Sequence, residues 1–359
     1  MYASKLKRLR RLHRSKSIVW FNAPIQYYNS SALLRFQFHN KTRSHIQYAP
    51  EITTKCIYHN KKTCTSIHKL TSGRTNIIMK LIPILESNRH ENEMFFLILF
   101  QTLLTYNVSP HIVLPIGSTI VSNKFVSTFV TNPKPSSILR YQLVLAECAT
   151  GSLAKLLCTQ HVKPYCLKVL FFQIFYTIYC INHYFPSFRH NDLHIGNILY
   201  QPLAKIMIPQ KNAYIVDNTI FYHDLSRCQY QVLLWDMYFS TMPTTRYTVK
   251  TVKLYKNRKQ TTQYYDIHKI IDSMICILHK PYGQTTITAE CQRFLDDIVP
   301  EHLRCRLHEL KKHDVDKMQL HTSNHISLED IIHHDYFREL TKVQNQTIAA
   351  TYSLKSNIF

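Results

Sequence analysis

The chain of 359 residues is poor in glycine and in acidic side chains. It contains 5 glycines, and none of them forms a G-x-G-x-x-G or Walker-type phosphate loop. Its 22 Asp and Glu stand against 44 Lys and Arg, which gives a formal net charge of +22. This charge favours acidic partners such as nucleic acid, acidic protein surfaces or anionic membranes. Because no glycine-rich loop is present, any nucleotide site in this chain must bind phosphate in another way.

Paired cysteines and long apolar runs are also missing. None of the 10 cysteines forms a C-x-x-C pair, and the first residues are charged where a secretory signal would be apolar. The longest apolar stretch, residues 167–181, includes Lys168, Gln173 and Thr177. It is also shorter than the roughly 20 apolar residues of a membrane span. We expect a buried helix there, no membrane span, and a soluble protein of a reduced, intracellular compartment.

Hydrophobic residues make up 45% of the chain and aromatic residues 12%, which predicts a folded protein with a substantial core. Short β-rich runs separated by polar turns predict three antiparallel strands between residues 48 and 84. Ser87 or Asn88 can cap a helix over residues 90–106. Further along, the patterns predict an extended segment at 109–117, strands at 124–131 and 141–148, and helices at 167–181, 300–313 and 327–340. A β-rich part is thus followed by a more helical part.

The segment FRHNDLHIGNILY, residues 188–200, carries the clearest chemical signal. A carboxylate and an amide five residues apart suit phosphoryl transfer, because one can accept the proton of an attacking hydroxyl and the other can hold a magnesium ion. The spacing H-x-D-x-x-x-x-N, carried by His190, Asp192 and Asn197, resembles the catalytic loop of the protein kinase superfamily. The resemblance implies that Asp192 is the catalytic base. His194 stands where the family has a lysine near the γ-phosphate.

Residues upstream of this loop fit the same family in the expected order. Lys80 lies in the apolar strand NIIMKLIPI, where a charged side chain needs a partner or a ligand. It matches the lysine that pairs the α- and β-phosphates of ATP and a helix glutamate. Glu93 is the candidate glutamate, and Glu91 competes with it. The segment VLAECATGSL resembles the hinge beside adenine and gives three candidate nucleotide contacts, Ala146, Glu147 and Cys148.

Downstream residues complete the resemblance. Asp236 follows an apolar strand where the family has its metal-binding D-F-G aspartate, so Asn197 and Asp236 are the predicted Mg²⁺ ligands. Asp266 resembles the buried aspartate that fastens the catalytic loop, and Asn191 replaces an arginine that pairs with a phosphorylated activation loop. The motif HNDLHIGNIL, with a hairpin-like insertion at 213–225, is most similar to divergent serine/threonine kinases of large DNA viruses.

The resemblance implies an α+β, bilobal protein-kinase-like fold. Residues 45–146 would form a small antiparallel β-rich N-lobe with one helix, αC in the family's terms, and residues 147–340 a larger, mostly helical C-lobe. Residues 1–44 would be a basic extension and residues 341–359 a C-terminal tail. The expected function is ATP- and Mg²⁺-dependent phosphorylation of proteins, with acidic proteins favoured by the basic segment 244–260. The expected location is intracellular: host cytoplasm, host nucleus or virion.

Four alternatives remain open at this stage. Choline and aminoglycoside kinases share the H-x-D-x-x-x-x-N motif and phosphorylate small molecules. A pseudokinase would explain the missing glycine loop, Tyr238 in place of the D-F-G glycine, and the lack of A-P-E between residues 240 and 263. A nucleic-acid-binding protein would use the net charge, above all the basic N-terminus, together with many Tyr and Phe. A metal protein would draw on 21 His and 10 Cys.

Overall fold

A computed structural model describes residues 53–60, 64–72, 75–84, 91–127, 140–203, 210–242, 264–279, 285, 287–300, 326–343 and 346–354. Several features predicted above lie outside these residues. They include the basic N-terminal extension, the basic segment 244–260, and most of the helix expected over residues 300–313.

The first part of the chain forms a five-stranded sheet in the order β1-β2-β3-β5-β4, with every neighbouring pair antiparallel. Its strands are β1 Thr53–His59, β2 Ser66–Ser72, β3 Thr75–Pro83, β4 Pro115–Ser122 and β5 Arg140–Glu147. The three strands predicted between residues 48 and 84 are therefore confirmed. Alternate apolar residues of β3, such as Ile77, Met79 and Leu81, are buried in one cluster on the sheet, as the period of two in a strand requires.

Two helices accompany this sheet. Helix α1, Glu91–Thr105, is the one predicted over residues 90–106, and its apolar side chains are buried on more than one face. Helix α2 is the short helical turn Asn123–Val126, so the strand predicted at 124–131 is wrong over residues 124–126. The Ser122 hydroxyl accepts a hydrogen bond from the Phe125 amide at 3.3 Å. This N-cap turns the chain into a helix directly after β4.

In the part of the chain that the structure describes, five more helices follow. They are α3 Leu153–Thr159, α4 Pro164–Tyr184, α5 Tyr264–Leu278, α6 Ala289–Ile298 and α7 Leu328–Ile332. Helix α4 is the buried helix expected at 167–181, and it begins with proline in its first turn. The buried Lys168 on α4 reaches Glu290 at 2.9 Å and Glu339 at 3.2 Å, which pairs its charge. By length and composition α4 could cross a membrane, yet 83% of its most apolar window is buried inside the protein.

The described residues of the second part are more helical than extended, as expected, and they also contain two three-stranded sheets. One has the order β10-β7-β6 and the other β11-β8-β9. The strands are β6 Gly151–Ser152, β7 Ile198–Pro202, β8 Gln210–Val216, β9 Thr219–Asp224, β10 Tyr230–Leu234 and β11 Thr347–Ser353. The antiparallel β8–β9 pair confirms the hairpin predicted at 213–225. The C-terminal tail supplies β11, which pairs in parallel with β8.

The last predicted helix, residues 327–340, is broken in two. Its start is confirmed, because Ser327 and Asp330 form a reciprocal capping box. Helix α7 ends before His333, and a 3-10 helix runs over Asp335–Thr341. His334 has extended backbone with ψ 143°, and its ring accepts a hydrogen bond from the Tyr336 amide at 3.0 Å. The histidine therefore caps a new helical segment instead of continuing the first.

Candidate active site

Lys80 forms the centre of a buried three-way ion pair. It lies on β3 opposite Val144 of β5 and is 4% exposed. Its Nζ donates to both carboxylate oxygens of Glu93 on α1, each at 2.8 Å, and to Oδ1 of Asp236 at 2.8 Å. Three separate elements, a strand, a helix and the segment after β10, thus converge on one ammonium group. Of the two candidate glutamates, Glu93 contacts Lys80, and the side chain of Glu91 lies outside the described residues.

The ionisation of this cluster follows from burial and charge. Burial alone would lower the pKa of Lys80, but the carboxylates of Asp236 and Glu93 outweigh it and raise that pKa. Burial raises the pKa of Glu93 to about 7, although Lys80 opposes the shift. Burial also opposes ionisation of Asp236, yet the charge and hydrogen bond of Lys80 leave the pKa of Asp236 below its usual value. At neutral pH Lys80 is therefore protonated, and the pKa of Glu93 is close to the pH.

Strand pairing brings Asn197 and Asp236 to the same place. Strands β7 and β10 are antiparallel, with Ile198 opposite Leu234. Asn197 immediately precedes β7, and Asp236 comes two residues after Leu234, so both emerge at the same end of the pair. The Trp235 amide donates to the Asn197 carbonyl at 3.1 Å, which continues the pairing to the edge of the site.

Asp192 lies next to Asn197 within the loop between α4 and β7. The Asn197 side-chain Nδ2 donates to the Asp192 carbonyl at 2.9 Å and is 3.4 Å from Asp192 Oδ2. The other carboxylate oxygen, Oδ1, accepts from Lys269 Nζ of α5. His194 Nε2 is 3.8 Å from Oδ2, and burial lowers the pKa of His194 despite the nearby carboxylate. His194 is therefore mainly neutral at pH 7.

Glycine is required beside this histidine. The Gly196 amide donates to His194 Nδ1 at 3.0 Å. A Cβ atom at position 196 would come within 2.7 Å of the His194 ring. Any larger residue would force the His194 ring to shift from this position.

Helix α5 fastens the loop through Asp266. The buried carboxylate accepts from the His190 amide at 2.7 Å and from the Asn191 amide at 2.9 Å, which confirms the predicted contact. Burial raises the pKa of Asp266, with the two amide hydrogen bonds opposing it. The His190 ring donates from Nε2 to the Trp235 carbonyl at 3.0 Å and accepts from the Asp192 amide at 3.3 Å. The His190 ring thereby connects the loop to the segment after β10.

The predicted adenine contacts lie further along the sheet. Lys80 is opposite Val144, so Ala146 and Glu147 stand two and three positions beyond it, about 7–10 Å at the usual strand rise. The Glu147 carboxylate accepts from the Leu114 amide at 2.7 Å, and this contact turns it back onto the preceding segment. Cys148 is half-buried, and burial raises its pKa. Ala146, Glu147 and Cys148 therefore lie at the end of β5, separate from the ion pairs of Lys80.

The donor set at one end of the site suits a hard divalent cation. Asn197 uses its amide nitrogen toward Asp192, which leaves its oxygen as a ligand atom, and Asp236 adds a carboxylate whose side chain is 32% exposed. Magnesium typically takes one or two protein oxygens and completes its shell with water and phosphate. Within the described residues, no group of three or more His, Cys, Asp or Glu side chains could hold a metal ion. The Asn197 and Asp236 oxygens therefore suit a Mg²⁺ ion whose remaining ligands are phosphate and water.

Sequence reasoning missed Lys269. It lies three residues after Asp266 on α5, and residues three apart share one face of a helix. Since Asp266 was expected to contact the catalytic loop, this spacing was the signal that could have identified the lysine.

Comparison with known proteins gives one distant similarity. No family model matches the chain. The chain is 25% identical over 252 residues to the "Putative serine/threonine-protein kinase R400" of Acanthamoeba polyphaga mimivirus. The similarity covers 62% of this chain and 53% of that protein, so the chain spans about half the length of its relative. This level of identity supports a kinase-like relationship weakly, in agreement with a mixed fold of antiparallel sheet and helices.

Proposed function

We propose that the chain is an ATP-dependent serine/threonine protein kinase of a divergent viral type. The observation that carries the proposal is the buried contact of Lys80 with Glu93 and Asp236. Burial of the Lys80 and Glu93 charges has a large desolvation cost, and apolar residues would fill the same space at least as stably. A functional requirement explains the arrangement better than stability does. The name of the mimiviral relative agrees with it.

The proposal includes two lobes with the substrate between them. Residues 45–146, with the five-stranded sheet and α1, would form the first lobe. Residues 147–340, together with β11 from the C-terminal tail, would form the second. Lys80 would bind ATP phosphates from the first lobe, and Asp192, Asn197 and Asp236 would face it from the second. The backbone at Ala146, Glu147 and Cys148 would hold adenine.

The chemistry assigned to this chain is a single displacement. The oxygen of an acceptor hydroxyl forms a bond to the γ-phosphorus, and the bond from that phosphorus to the β–γ bridging oxygen breaks, so ADP leaves with the electron pair. Asp192 accepts the hydroxyl proton. Asn197 and Asp236 would hold Mg²⁺, which neutralises phosphate charge when it is bound. Lys80 orients the phosphates, and Glu93 keeps Lys80 in place.

The decisive experiment measures phosphate transfer from γ-labelled ATP to a mixture of acidic and basic proteins in Mg²⁺. Asp192→Asn should lower transfer by about 10²–10⁴-fold, because the base is lost. Its melting temperature should still rise with ATP and Mg²⁺ as the wild type's does, since the carboxylate addresses the acceptor. Asp217→Asn is the matched control, because this aspartate lies in the β8–β9 turn and is 49% exposed.

Three results would contradict the proposal. Equal transfer by wild type and Asp192→Asn would remove the base assignment. Transfer to choline or aminoglycosides but to no protein would move the chain to the small-molecule kinases. Binding of ATP without any transfer would identify a pseudokinase.

A further inference from the structure

The carboxylate of Asp192 is held by a residue outside its own loop. Lys269 Nζ donates to Asp192 Oδ1, and the same nitrogen is 3.4 Å from the Asn191 carbonyl. The Lys269 side chain is 20% exposed and that of Asp192 is 30% exposed. One ammonium group therefore contacts both the carboxylate and the backbone of the loop that carries it.

Helix α5 grips this loop at two points. Asp266 accepts the amides of His190 and Asn191, and Lys269 contacts the Asn191 carbonyl and the Asp192 carboxylate. Since Asp266 and Lys269 are three residues apart, they lie on one face of the helix. Asp266 accounts for the path of the backbone, while Lys269 acts on the side chain. The two contacts thus have separate consequences.

Stability gives little reason for the lysine. A partly exposed ion pair typically contributes about 0–1 kcal/mol. Ordering a lysine side chain costs up to about 2 kcal/mol of rotamer entropy. These terms nearly cancel, so the contact is better explained by its effect on Asp192 than by its effect on folding.

Charge around Asp192 points the same way. His194 Nε2 lies 3.8 Å from Oδ2, beyond hydrogen-bond distance, whereas Lys269 Nζ donates directly to Oδ1. Lys80 is committed to Glu93 and Asp236. Among the described contacts of Asp192, the positive charge comes from Lys269.

We propose that Lys269 is the positioning residue for the catalytic carboxylate: it occupies Oδ1 of Asp192 and so directs Oδ2 toward the acceptor hydroxyl. This inference rests on the proposed kinase function. Oδ2 lies on the side of Asn197 and His194, where the proposed metal ligand stands. Rotation of the carboxylate would bring the wrong oxygen to the hydroxyl or draw Asp192 away from it. Helix α5 thereby supplies an ammonium group that donates to the Asp192 carboxylate, while the loop's own His194 stays 3.8 Å away.

The test compares Lys269→Met, Lys269→Arg and the double variant Lys269→Met/His194→Lys in the full chain. Lys269→Met should lower kcat by about 10–100-fold, as expected for a misoriented reactive group. Its KM for ATP should stay within about 2-fold of wild type, because the contact concerns the acceptor side. Lys269→Arg should keep most of kcat. The double variant, which moves the cation onto the loop, should recover about 5-fold or more relative to Lys269→Met.

The control is Lys124→Met, which removes an exposed lysine of α2. Melting temperature is recorded for every variant, so that a folding defect is separated from a kinetic one. An unchanged kcat in Lys269→Met would overturn the positioning role, as would an equal loss in Lys269→Arg at wild-type melting temperature. If Lys269→Met does not fold, Lys269→Gln takes its place in the same comparison. A wild-type chain without any transfer would overturn both proposals, whereas these variant results leave the kinase assignment standing.

Discussion

Replacement of Lys80 by methionine should destabilise the protein in a pH-dependent way. The change removes the cation that contacts Glu93 and Asp236 while retaining most of the side-chain volume. Asp236 is 32% exposed and can be hydrated, but Glu93 has no exposed surface. Breaking a buried ion pair by removing one partner costs about 3–5 kcal/mol. We expect a loss of this size at pH 8.

The sign of the pH effect follows from Glu93. Its pKa is raised from 4.5 to about 7, so its favourable contribution is complete below pH 4.5 and is lost as the pH rises to about 7. In Lys80→Met the carboxyl has no cation, and its pKa rises further. The variant therefore continues to lose stability above pH 7, where the wild type has levelled off, by about 1.4 kcal/mol per pH unit.

Urea unfolding at pH 7 and pH 8 measures this difference. Lys80→Met/Glu93→Gln should restore most of the lost stability, because no buried charge remains, and Lys124→Met should change it by less than about 0.5 kcal/mol. A loss below about 1 kcal/mol at pH 8 would refute the reasoning, since it would mean that burying the Glu93 carboxylate without a cation costs little free energy. The same loss at both pH values would show that Glu93 does not titrate in this range.

Three further outcomes are expected. Asp266→Asn should lower the free energy of unfolding by about 2–3 kcal/mol in urea titrations, because an amide cannot accept both loop N–H groups; a loss below 0.5 kcal/mol, roughly the scatter of surface substitutions, would contradict this. Asn191 donates to the Phe239 carbonyl at 2.8 Å and to Thr241 Oγ1 at 2.9 Å. Phosphatase treatment should therefore leave kinase activity unchanged, and a silenced enzyme would show that a phosphate is needed. Asp236→Ala should abolish the increase that Mg²⁺ adds to the ATP-induced rise in melting temperature; an undiminished Mg²⁺ effect would remove Asp236 from the metal site.

Local patterns in the sequence predicted much of the fold and the clustering at the site. The strands β1 to β3 follow from short β-rich runs, and α4 follows from an apolar stretch too long for a strand. A lysine in an apolar strand requires a partner, and Glu93 on the following helix is in contact with it. Asp192, Asn197 and Asp236 could be recognised as site candidates because each stands next to an apolar segment.

The parts that could not be predicted depend on contacts between distant residues or on single caps. Strand β11 pairs with β8 from the other end of the second part, and no local period encodes that pairing. Residues 123–126 have strand-like composition, yet one serine cap makes them helical. Lys269 meets Asp192 across 77 positions of sequence, and only the packing of α5 against the loop creates the contact.

Asn and Asp occupy most of the left-handed backbone positions in the described residues, where glycine is usually found. Among the described residues, five non-glycine positions have positive φ, and four of them are Asn or Asp: Asn107, Asn191, Asp217 and Asp236. These residue types tolerate that conformation best after glycine. Tyr238, which replaces a glycine of the kinase pattern, is not among them and lies in the 3-10 helix Met237–Phe239. The left-handed backbone lies at Asp236 itself, with φ 64°, and this backbone presents the aspartate to Lys80 without a positive φ at Tyr238.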